Sequence, residues 1–448
     1  MKMNFSSHKR AFWIGMFFLL PSLLAHAQTG ITPESPLTIT QVWQLTDSNS
    51  RKIQMTQLGV QAAEGNIKVA RSERLPDVAM DGVLAHIFPM PIYENGLFHT
   101  PSQFPVEPKY YKVSADAYMN LYNGGKTNRE IAASKTEREI ALAKKQLSRQ
   151  EIHFTAAVYF YDVYRNKSYK ELLEQDIKDR EKQLSEINAL YKNGTVLKSD
   201  VLRAELRLSK QRMLLTEIEN SIKIAAQKLN LLIGRLDNAM LNPIVPESAA
   251  DPIFLKGIAD YMNEAASKSF KLEISKKEQE LGELKLKQVK SNILPSLGLF
   301  GEYAYTYPQI QFYPYALSLY SNGMVGLKLK IPISSFYQNK NKVKVAEIQL
   351  HRQEVEDEDV KENIRQEVQE AYIRYTESLK RIDVATENIQ QAAESYRIVQ
   401  NTYFNQLALL TDLLDVETQL LQSKFELTTA KVNARIQYYQ LQKAVGNL

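Results

Sequence analysis

The chain has 448 residues, with 56 Lys and Arg against 51 Asp and Glu, 44% hydrophobic residues and no cysteine. The lack of cysteine excludes disulfide frameworks, cysteine nucleophiles, iron–sulfur clusters and cysteine-ligated zinc. The mean hydropathy of −0.35 and a single long apolar run exclude a polytopic α-helical membrane protein, whereas the hydrophobic fraction suffices for a folded core.

The N-terminal residues 1–27 have the three parts of a secretory signal peptide. The basic start MKMNFSSHKR precedes the apolar segment AFWIGMFFLLPSLL, and an A-x-A site predicts cleavage before Gln28. The alternative is a retained anchor, which the short apolar segment and its interruption by Pro21 disfavour. Cleavage removes three basic residues and no acidic one, leaving 53 against 51 and a net charge of +2. The main support for nucleic-acid binding is thereby lost, and we expect no nucleic-acid partner.

Segments of the sequence recur later in the chain in the same order, which indicates an internal duplication. The matched pairs are Tyr191 and Tyr403, Asp200 and Asp412, and Gly234 and Gly446 at a shift of 212, and Leu75-Pro76 and Leu294-Pro295 at a shift of 219. We therefore divide the mature chain into a first structural repeat at 28–234, an inter-repeat linker at 235–256 and a second structural repeat at 257–448.

Each repeat contains two strand-like runs. The segments YKVSADAYMNL and NGMVGLKLKIPI alternate apolar and polar residues over about the 9–11 residues that a membrane-spanning strand requires. An ordinary antiparallel sheet with one solvated face would alternate equally well, so the strands alone leave both interpretations open. Six tyrosines between positions 303 and 320 are candidates for an aromatic girdle at a membrane surface.

Long helices follow the strands in both repeats. Residues 340–403 contain no Pro or Gly, and a heptad stripe predicts a helix about 95 Å long that packs along a coiled-coil seam. The stripe consists of Ile364, Val368, Ala371, Tyr375, Ser378, Ile382, Ala385, Ile389, Ala392, Tyr396, Val399 and Tyr403. The first repeat has the same pattern, and a further stripe follows a break in each repeat. Two long helical hairpins are therefore predicted, with tips near 192–200 and 404–412.

This layout resembles the outer-membrane efflux protein family, the TolC-like channels, over about residues 38–446. The resemblance is carried by the Leu-Pro steps before the strands, by LYNGGKTN at Leu121 and by the two tips. It implies a mixed, mainly α fold: a long coiled-coil α-helical barrel plus a four-stranded contribution per protomer to a trimeric 12-stranded transmembrane β-barrel. A trimer is physically consistent with four strands per protomer, because four strands cannot close a barrel and open edges are not tolerated in lipid.

The resemblance also implies a function and a location. It implies a trimeric channel in the cell outer membrane with a periplasmic tunnel, the exit duct of a tripartite efflux or type I secretion system, gated at the periplasmic helical tips. The implied partners are a periplasmic adaptor (membrane fusion) protein, an inner-membrane RND or ABC transporter, and outer-membrane lipid. The alternative is a secreted coiled-coil structural or adhesin protein without a pore, which does not predict paired strands between helices.

Enzymatic function is a more distant possibility. The sequence has no phosphate-binding loop and no nucleophile with a histidine base nearby, so we expect no catalytic residues and no cofactor. No pair of histidines has the spacing of metal ligands, so we expect no metal site. The histidines are His8, His26, His86, His99, His153 and His351.

The resemblance assigns a periplasmic gate to Asp412 and Asp415 and an inter-hairpin lock to Tyr403, Asp200 and Ser199. Three protomers would place six carboxylates around a narrow pore, which would favour cations and block passage at rest. Capping also explains the aspartates, because Asp is a preferred N-cap and Asp412 and Asp200 each follow a break. The two roles are compatible.

Two positions depart from the family pattern, and two lysines are further candidates. The family's arginine aligns with Ala408 and its second-tip glycine with Gln406, so an arginine-mediated lock should be absent.

Lys328 and Lys330 alternate with apolar residues in the last strand and are predicted to face the barrel lumen, where they could tune selectivity. Ordinary solvation is the alternative for both lysines.

Overall fold

A computed structural model describes residues 36–104, 106–245, 256–310 and 314–448. The predicted signal peptide at 1–27 and residues 246–255 of the predicted linker lie outside these residues. In the first half the elements are β1 (Pro36–Leu37), α1 (Ile39–Asn49), α2 (Arg51–Ser72), β2 (Asp77–His86), β3 (Met90–Ile92), β4 (Ser102–Phe104), β5 (Lys109–Tyr122), α3 (Lys126–Lys192), α4 (Lys198–Ile233) and β6 (Asn242–Pro243).

The second half repeats the main order of elements. It contains α5 (Ile258–Lys268), α6 (Phe270–Lys290), β7 (Ser296–Tyr307), β8 (Tyr320–Lys330), α7 (Ser335–Phe404) and α8 (Leu410–Val445). The chain before each Leu-Pro step forms two consecutive helices, α1 and α2 in the first half and α5 and α6 in the second. Ser50 and Ser269 separate these helices because each adopts extended backbone, with ψ of 119° and 116°.

The two predicted strand pairs form one antiparallel sheet in the order β2-β5-β7-β8. Pairing of β5 with β7 joins the two halves of the chain, and the outer strands β2 and β8 do not pair with each other. The strands have 10, 14, 12 and 11 residues. They therefore reach or exceed the length that spans a bilayer when tilted.

One face of this sheet is polar. Lys112 of β5 donates to Glu302 of β7 at 2.8 Å on that face. The register pairs Met324 with Glu302, so every second residue of β8 from Met324 onward lies on the same face. Lys328 and Lys330 are among them, and both are exposed. The structure therefore places both predicted lumen lysines on the polar face.

The opposite face is apolar, and no described part of the chain covers it. Met80 and Leu84 of β2 are 77% and 86% exposed, and Val325 of β8 is 78% exposed. Large apolar side chains at this exposure on both outer strands indicate a surface that another apolar medium covers.

Three of the six predicted girdle tyrosines lie on the apolar face. Tyr303, Tyr305 and Tyr307 point to one side of β7 by their even spacing, at the sheet end remote from the long helices. The ring of Tyr307 stacks on Tyr111 with centroids 4.8 Å apart. Tyr320 lies on the other face because it pairs with Thr306, so the expectation for Tyr320 was wrong.

The long helices confirm the heptad prediction. α3 has 67 residues and α7 has 70, which correspond to about 100 Å each at 1.5 Å per residue. All twelve predicted stripe positions of α7 are buried or half-buried. Ser378, the polar member, is satisfied because its hydroxyl donates to the carbonyl of Tyr375 at 2.6 Å. The breaks fall at 193–197 and 405–409, within the predicted tips.

The core is a series of clusters along the helices. Along α3, Phe160, Leu173 and Ile187 are each fully or almost fully buried in separate clusters with α4 and α8. Val368 of α7 and Leu441 of α8 centre a further cluster. In the described part of the chain, no helix combines the length and apolar character needed to cross a membrane.

Candidate functional site

The helical tips, defined as residues 193–200 and 405–415, have the same local construction. Leu197 and Leu409 occupy the N-cap positions with extended backbone. A leucine side chain has no acceptor, so the aspartate three residues later supplies one. Oδ2 of Asp200 accepts from the N–H of Leu197 at 3.4 Å, and Oδ2 of Asp412 accepts from the N–H of Leu409 at 3.2 Å.

These contacts correct the expected position of the aspartates. Asp200 and Asp412 lie at the third position of α4 and α8, not at the N-cap itself. A carboxylate there still satisfies an otherwise unpaired N–H and interacts favourably with the positive helix end. The aspartates therefore act as caps in both tips, but from the third helical position, because each N-cap lies three residues earlier than predicted.

The turns of the two tips share a conformation but not a residue type. Gly194 has φ +73° and Gln406 has φ +63°. Glycine adopts the left-handed region freely, whereas a residue with a Cβ does so at a cost of about 1 kcal/mol or more. The second tip is thus strained at the position where the family's glycine was expected.

The two predicted gate residues lie together on one surface. Asp412 and Asp415 are one turn apart on α8, and both side chains are exposed. Within the described residues neither forms an ion pair with a basic side chain. Asp415 makes no capping hydrogen bond, so its carboxylate has no structural partner among the residues that the structure describes.

The predicted lock residues lie near the same tip, and no hydrogen bond joins them among the described residues. Tyr403 packs with Ile187 and Val201, and its hydroxyl is buried without a hydrogen-bond partner among the described residues. Burial raises the pKa of Tyr403, and the charge of Asp200 raises it further. Asp200 uses its carboxylate to cap α4, and Ser199 is exposed beside it.

Sequence reasoning missed a buried ion network below the tips. Arg180 of α3 contacts the carboxylate of Glu417 of α8, and it also lies 3.2 Å from Oδ1 of Asp176. Gln183 accepts from Arg180 at 2.8 Å and donates to Glu417 at 2.9 Å. Gln211 of α4 donates to Asp176. The network therefore connects three helices from both halves of the chain.

The protonation of this network follows from its burial. Burial lowers the pKa of Arg180, but the charges of Glu417 and Asp176 outweigh burial and hold that pKa above its ordinary value. Burial raises the pKa of Glu417, and Arg180 and Gln183 offset this only in part. The sequence pattern indicates that Glu417 is buried, because it lies four residues from both Leu413 and Leu421 in a buried stripe.

A second cluster missed from the sequence joins α1 to α3. Nε2 of His153 lies 2.8 Å from Oδ1 of Asp47, and Nε of Arg149 donates to the same oxygen at 2.9 Å. The ring of Trp43 stacks on His153 at 5.5 Å, and its indole N–H donates to the carbonyl of His153 at 3.0 Å. His153 and Trp43 therefore form one unit that fixes α1 against the long helix.

Burial sets the charge of that histidine. Burial lowers the pKa of His153 below 6.5, although the hydrogen bond and the charge of Asp47 raise it in part. Burial raises the pKa of Asp47, but hydrogen bonds from Arg149 and His153 outweigh it and leave that pKa below 3.8. The folded state thus favours a neutral His153 beside an ionised Asp47.

An open-edged antiparallel sheet with one apolar face, joined to two long helical hairpins, is the architecture of an outer-membrane channel protomer. The chain belongs to the outer membrane efflux protein family, whose family profile matches residues 42–235 and 262–447. It is therefore an outer-membrane transport protein of the channel type, and its family consists of channels rather than enzymes. No curated protein sequence matches the chain.

Solved structures with this fold are outer-membrane channels. The chain is similar to VceC of Vibrio cholerae, with 16% identity, a TM-score of 0.72 and coverage of 91% of this chain and 96% of that chain. It is similar to CmeC of Campylobacter jejuni, with 15% identity, a TM-score of 0.70 and coverage of 91% and 85%. It is also similar to the open state of MtrE of Neisseria gonorrhoeae, with 16% identity, a TM-score of 0.70 and coverage of 91% and 88%.

Proposed function

We propose that the chain forms a homotrimeric tunnel that serves as the exit duct of a tripartite efflux or type I secretion system. The observation that supports this most directly is the sheet, which has four strands, two unpaired outer strands and one uncovered apolar face. Pairing of β2 with β8 of a neighbouring copy would complete a closed 12-stranded barrel from three copies. Closure would satisfy the backbone groups of both edges, as lipid requires.

The helices offer independent support for self-association. At about 100° per residue, the exposed apolar residues of α4 fall within about 40° of one another on the side opposite its buried stripe. They are Leu202, Leu206, Met213, Ile224 and Leu231, which are 53% to 65% exposed. A second apolar stripe on a coiled-coil helix is the surface expected to contact a further helix. In our proposal this helix belongs to a second copy of the chain.

We place the gate of this tunnel at the tips. Three copies would bring Asp412 and Asp415 into two acidic rings, and exposed carboxylates without a basic partner in the described part of the chain suit that role. Tyr403, Asp200 and Ser199 would link neighbouring hairpins at rest. In the isolated protomer Oδ2 of Asp200 accepts from Leu197, and the second carboxylate oxygen would accept the link from the tyrosine hydroxyl.

The lumen and the partners complete the proposal. Lys328 and Lys330 would face the lumen of the barrel, because they lie on the polar face of the sheet. A periplasmic adaptor would contact the tips, and an inner-membrane RND or ABC transporter would supply the energy. The duct itself needs no cofactor for passive conduction.

Two measurements test the proposal. Chemical cross-linking in detergent should give a trimer, and planar bilayers should show discrete conductance steps. Absence of conductance in every condition would exclude a pore and would favour a secreted coiled-coil protein. For the gate, Asp415→Ala should raise the resting conductance, since it removes charge without removing a cap. An exposed acid remote from the tips, changed by Glu94→Ala, is the control and should leave the resting conductance unaltered.

A further inference from the structure

A cavity of about 500 Å³ lies where the polar face of the sheet meets the long helices. The helix-side ends of β5, β7 and β8 and the starts of α3 and α7 form its walls. Three lysines line it, Lys126, Lys330 and Lys342, together with neutral groups such as Tyr118 and Gln338. A concave site with several donors at one junction is the usual form of a small-molecule site.

The charges around this cavity are not balanced. Its lining contains no Asp or Glu. None of the three lysines forms an ion pair within the described ranges, whereas Lys112, for example, pairs with Glu302 at 2.8 Å on the same face of the sheet. Charges of one sign in a concave site focus the field and raise the local concentration of counter-ions.

Two helix ends add to this positive potential. Lys126 is the first residue of α3, and Ser335 is the first residue of α7, and both line the cavity. The N-terminal end of a helix carries a partial positive charge that attracts anions. Helices of 67 and 70 residues therefore begin at the same space that the lysines surround.

We propose that this cavity, named here the basic junction, binds small water-soluble polyanions that carry phosphate or carboxylate groups. Lys126, Lys330 and Lys342 supply the charge, and Tyr118 and Gln338 supply neutral hydrogen-bonding groups. The ligand is a solute and not a lipid headgroup, because the site opens on the polar face and the apolar face lies opposite. The inference deepens the proposed function in one respect, since only in a channel does this face line the path of a solute.

Direct binding tests the basic junction without reference to conductance. Calorimetric titration of the full-length protein in detergent with pyrophosphate should show saturable binding. The variant Lys126→Gln/Lys330→Gln/Lys342→Gln should bind about tenfold more weakly, because it loses three favourable charge interactions. The matched control Lys135→Gln/Lys340→Gln/Lys344→Gln removes the same charge from exposed lysines that do not line the cavity and should bind as the parent does.

The binding measurements can contradict the proposed site in two ways. No saturable binding by the parent, or equal weakening in both triple variants, overturns the inference. A folding defect in the cavity variant would appear as a lower melting temperature than that of the control. In that case Lys330→Gln alone, an exposed change at a strand end, should still weaken binding about two- to threefold, and unaltered binding would overturn the inference.

Two further measurements distinguish the source of the anion and the role of the pore. Vesicles of phosphatidylglycerol should not displace pyrophosphate, and displacement by them would assign the site to lipid and overturn the inference. In bilayers under a KCl gradient, the cavity variant should shift the reversal potential toward cation selectivity, and the control should not. A protein that binds pyrophosphate but never conducts would contradict the proposed function and leave the binding site standing.

Discussion

The guanidinium of Arg180 in α3 contacts the carboxylate of Glu417 in α8, and the two side chains are 8% and 2% exposed. The pair joins the first half of the chain to the second below the tips. Removing two charges from water is costly, and the attraction compensates only when further hydrogen bonds complete the site. Gln183 and Asp176 supply such contacts, although Oε2 of Glu417 remains without a partner among the described residues.

We expect Arg180→Met to be strongly destabilising. The substitution leaves the buried Glu417 and the half-buried Asp176 without a cation, and breaking a buried pair on one side costs about 3–5 kcal/mol. Denaturant unfolding of the purified protein, followed by circular dichroism, measures the change. The control is Arg212→Met, whose partner Glu181 is 47% exposed and whose own side chain is 60% exposed. That change should stay within about 1 kcal/mol, and equal losses in the two variants would contradict a buried network.

The matched caps of the two tips give a second prediction. Asp200→Ala and Asp412→Ala each remove one hydrogen bond to an N-cap N–H, so each should lower the free energy of unfolding by about 1 kcal/mol. Asp415→Ala removes no such contact and should change stability by less than about 0.5 kcal/mol. Denaturant unfolding of the three variants under identical conditions is the measurement.

Conductance separates capping from gating in the same set of variants. If the aspartates act only as caps, the resting conductance should change only in the variants that lose stability, and Asp415→Ala should conduct as the parent does. The proposed gate predicts the reverse for Asp415→Ala, which should conduct more at rest while remaining stable. Tyr403→Phe tests the proposed lock, because it removes a hydroxyl that has no hydrogen-bond partner among the described residues and should therefore cost little stability.

Long-period patterns predicted the fold well. The heptad stripe of α7 extends over many turns, so each position adds to the same inference, and all twelve predicted positions are buried or half-buried. The strands were predicted with less certainty, because alternation over about ten residues fits a solvated sheet as well as a membrane-facing one. Register resolved the faces, since only the pairing of Met324 with Glu302 shows which β8 residues share a side with the ion pair.

The sequence predicted the contacts near the helical tips less completely than it predicted the fold. Arg180 and Glu417 come from opposite halves, and nothing local to either residue names its partner. The break at each tip predicted capping by Asp200 and Asp412, but the exact helix start depends on the extended backbone of Leu197 and Leu409. An error of three residues at a helix end predicted from sequence is ordinary, and here it decides whether the aspartate is the N-cap residue or caps it from the third helical position.

The His153 cluster predicts a loss of stability in mild acid. The folded-state pKa of His153 lies below the ordinary 6.5, so the unfolded chain takes up a proton first as the pH falls. Stability should therefore decline below about pH 6.5, whereas Asp47, with a pKa held below 3.8, contributes a loss only in stronger acid. Melting temperatures between pH 7.5 and 5.5 test this, and His153→Gln should flatten the decline. His351→Gln, an exposed control at 77% side-chain exposure, should not.

Relief of backbone strain at the second tip gives the last prediction. Gln406 adopts φ +63°, which costs about 1–2 kcal/mol for a residue with a Cβ. A glycine removes this strain, but its greater freedom in the unfolded chain offsets part of the stabilisation. We therefore expect Gln406→Gly to raise the free energy of unfolding by about 0.5 kcal/mol. The reciprocal change Gly194→Ala introduces the same strain at φ +73° in the first tip and should lower it by about 1 kcal/mol. Nothing lies within 4 Å of a Cβ built on Gly194, so backbone conformation alone is tested there. A destabilising Gln406→Gly would show that contacts of the glutamine side chain, and not the backbone, set the stability of this turn.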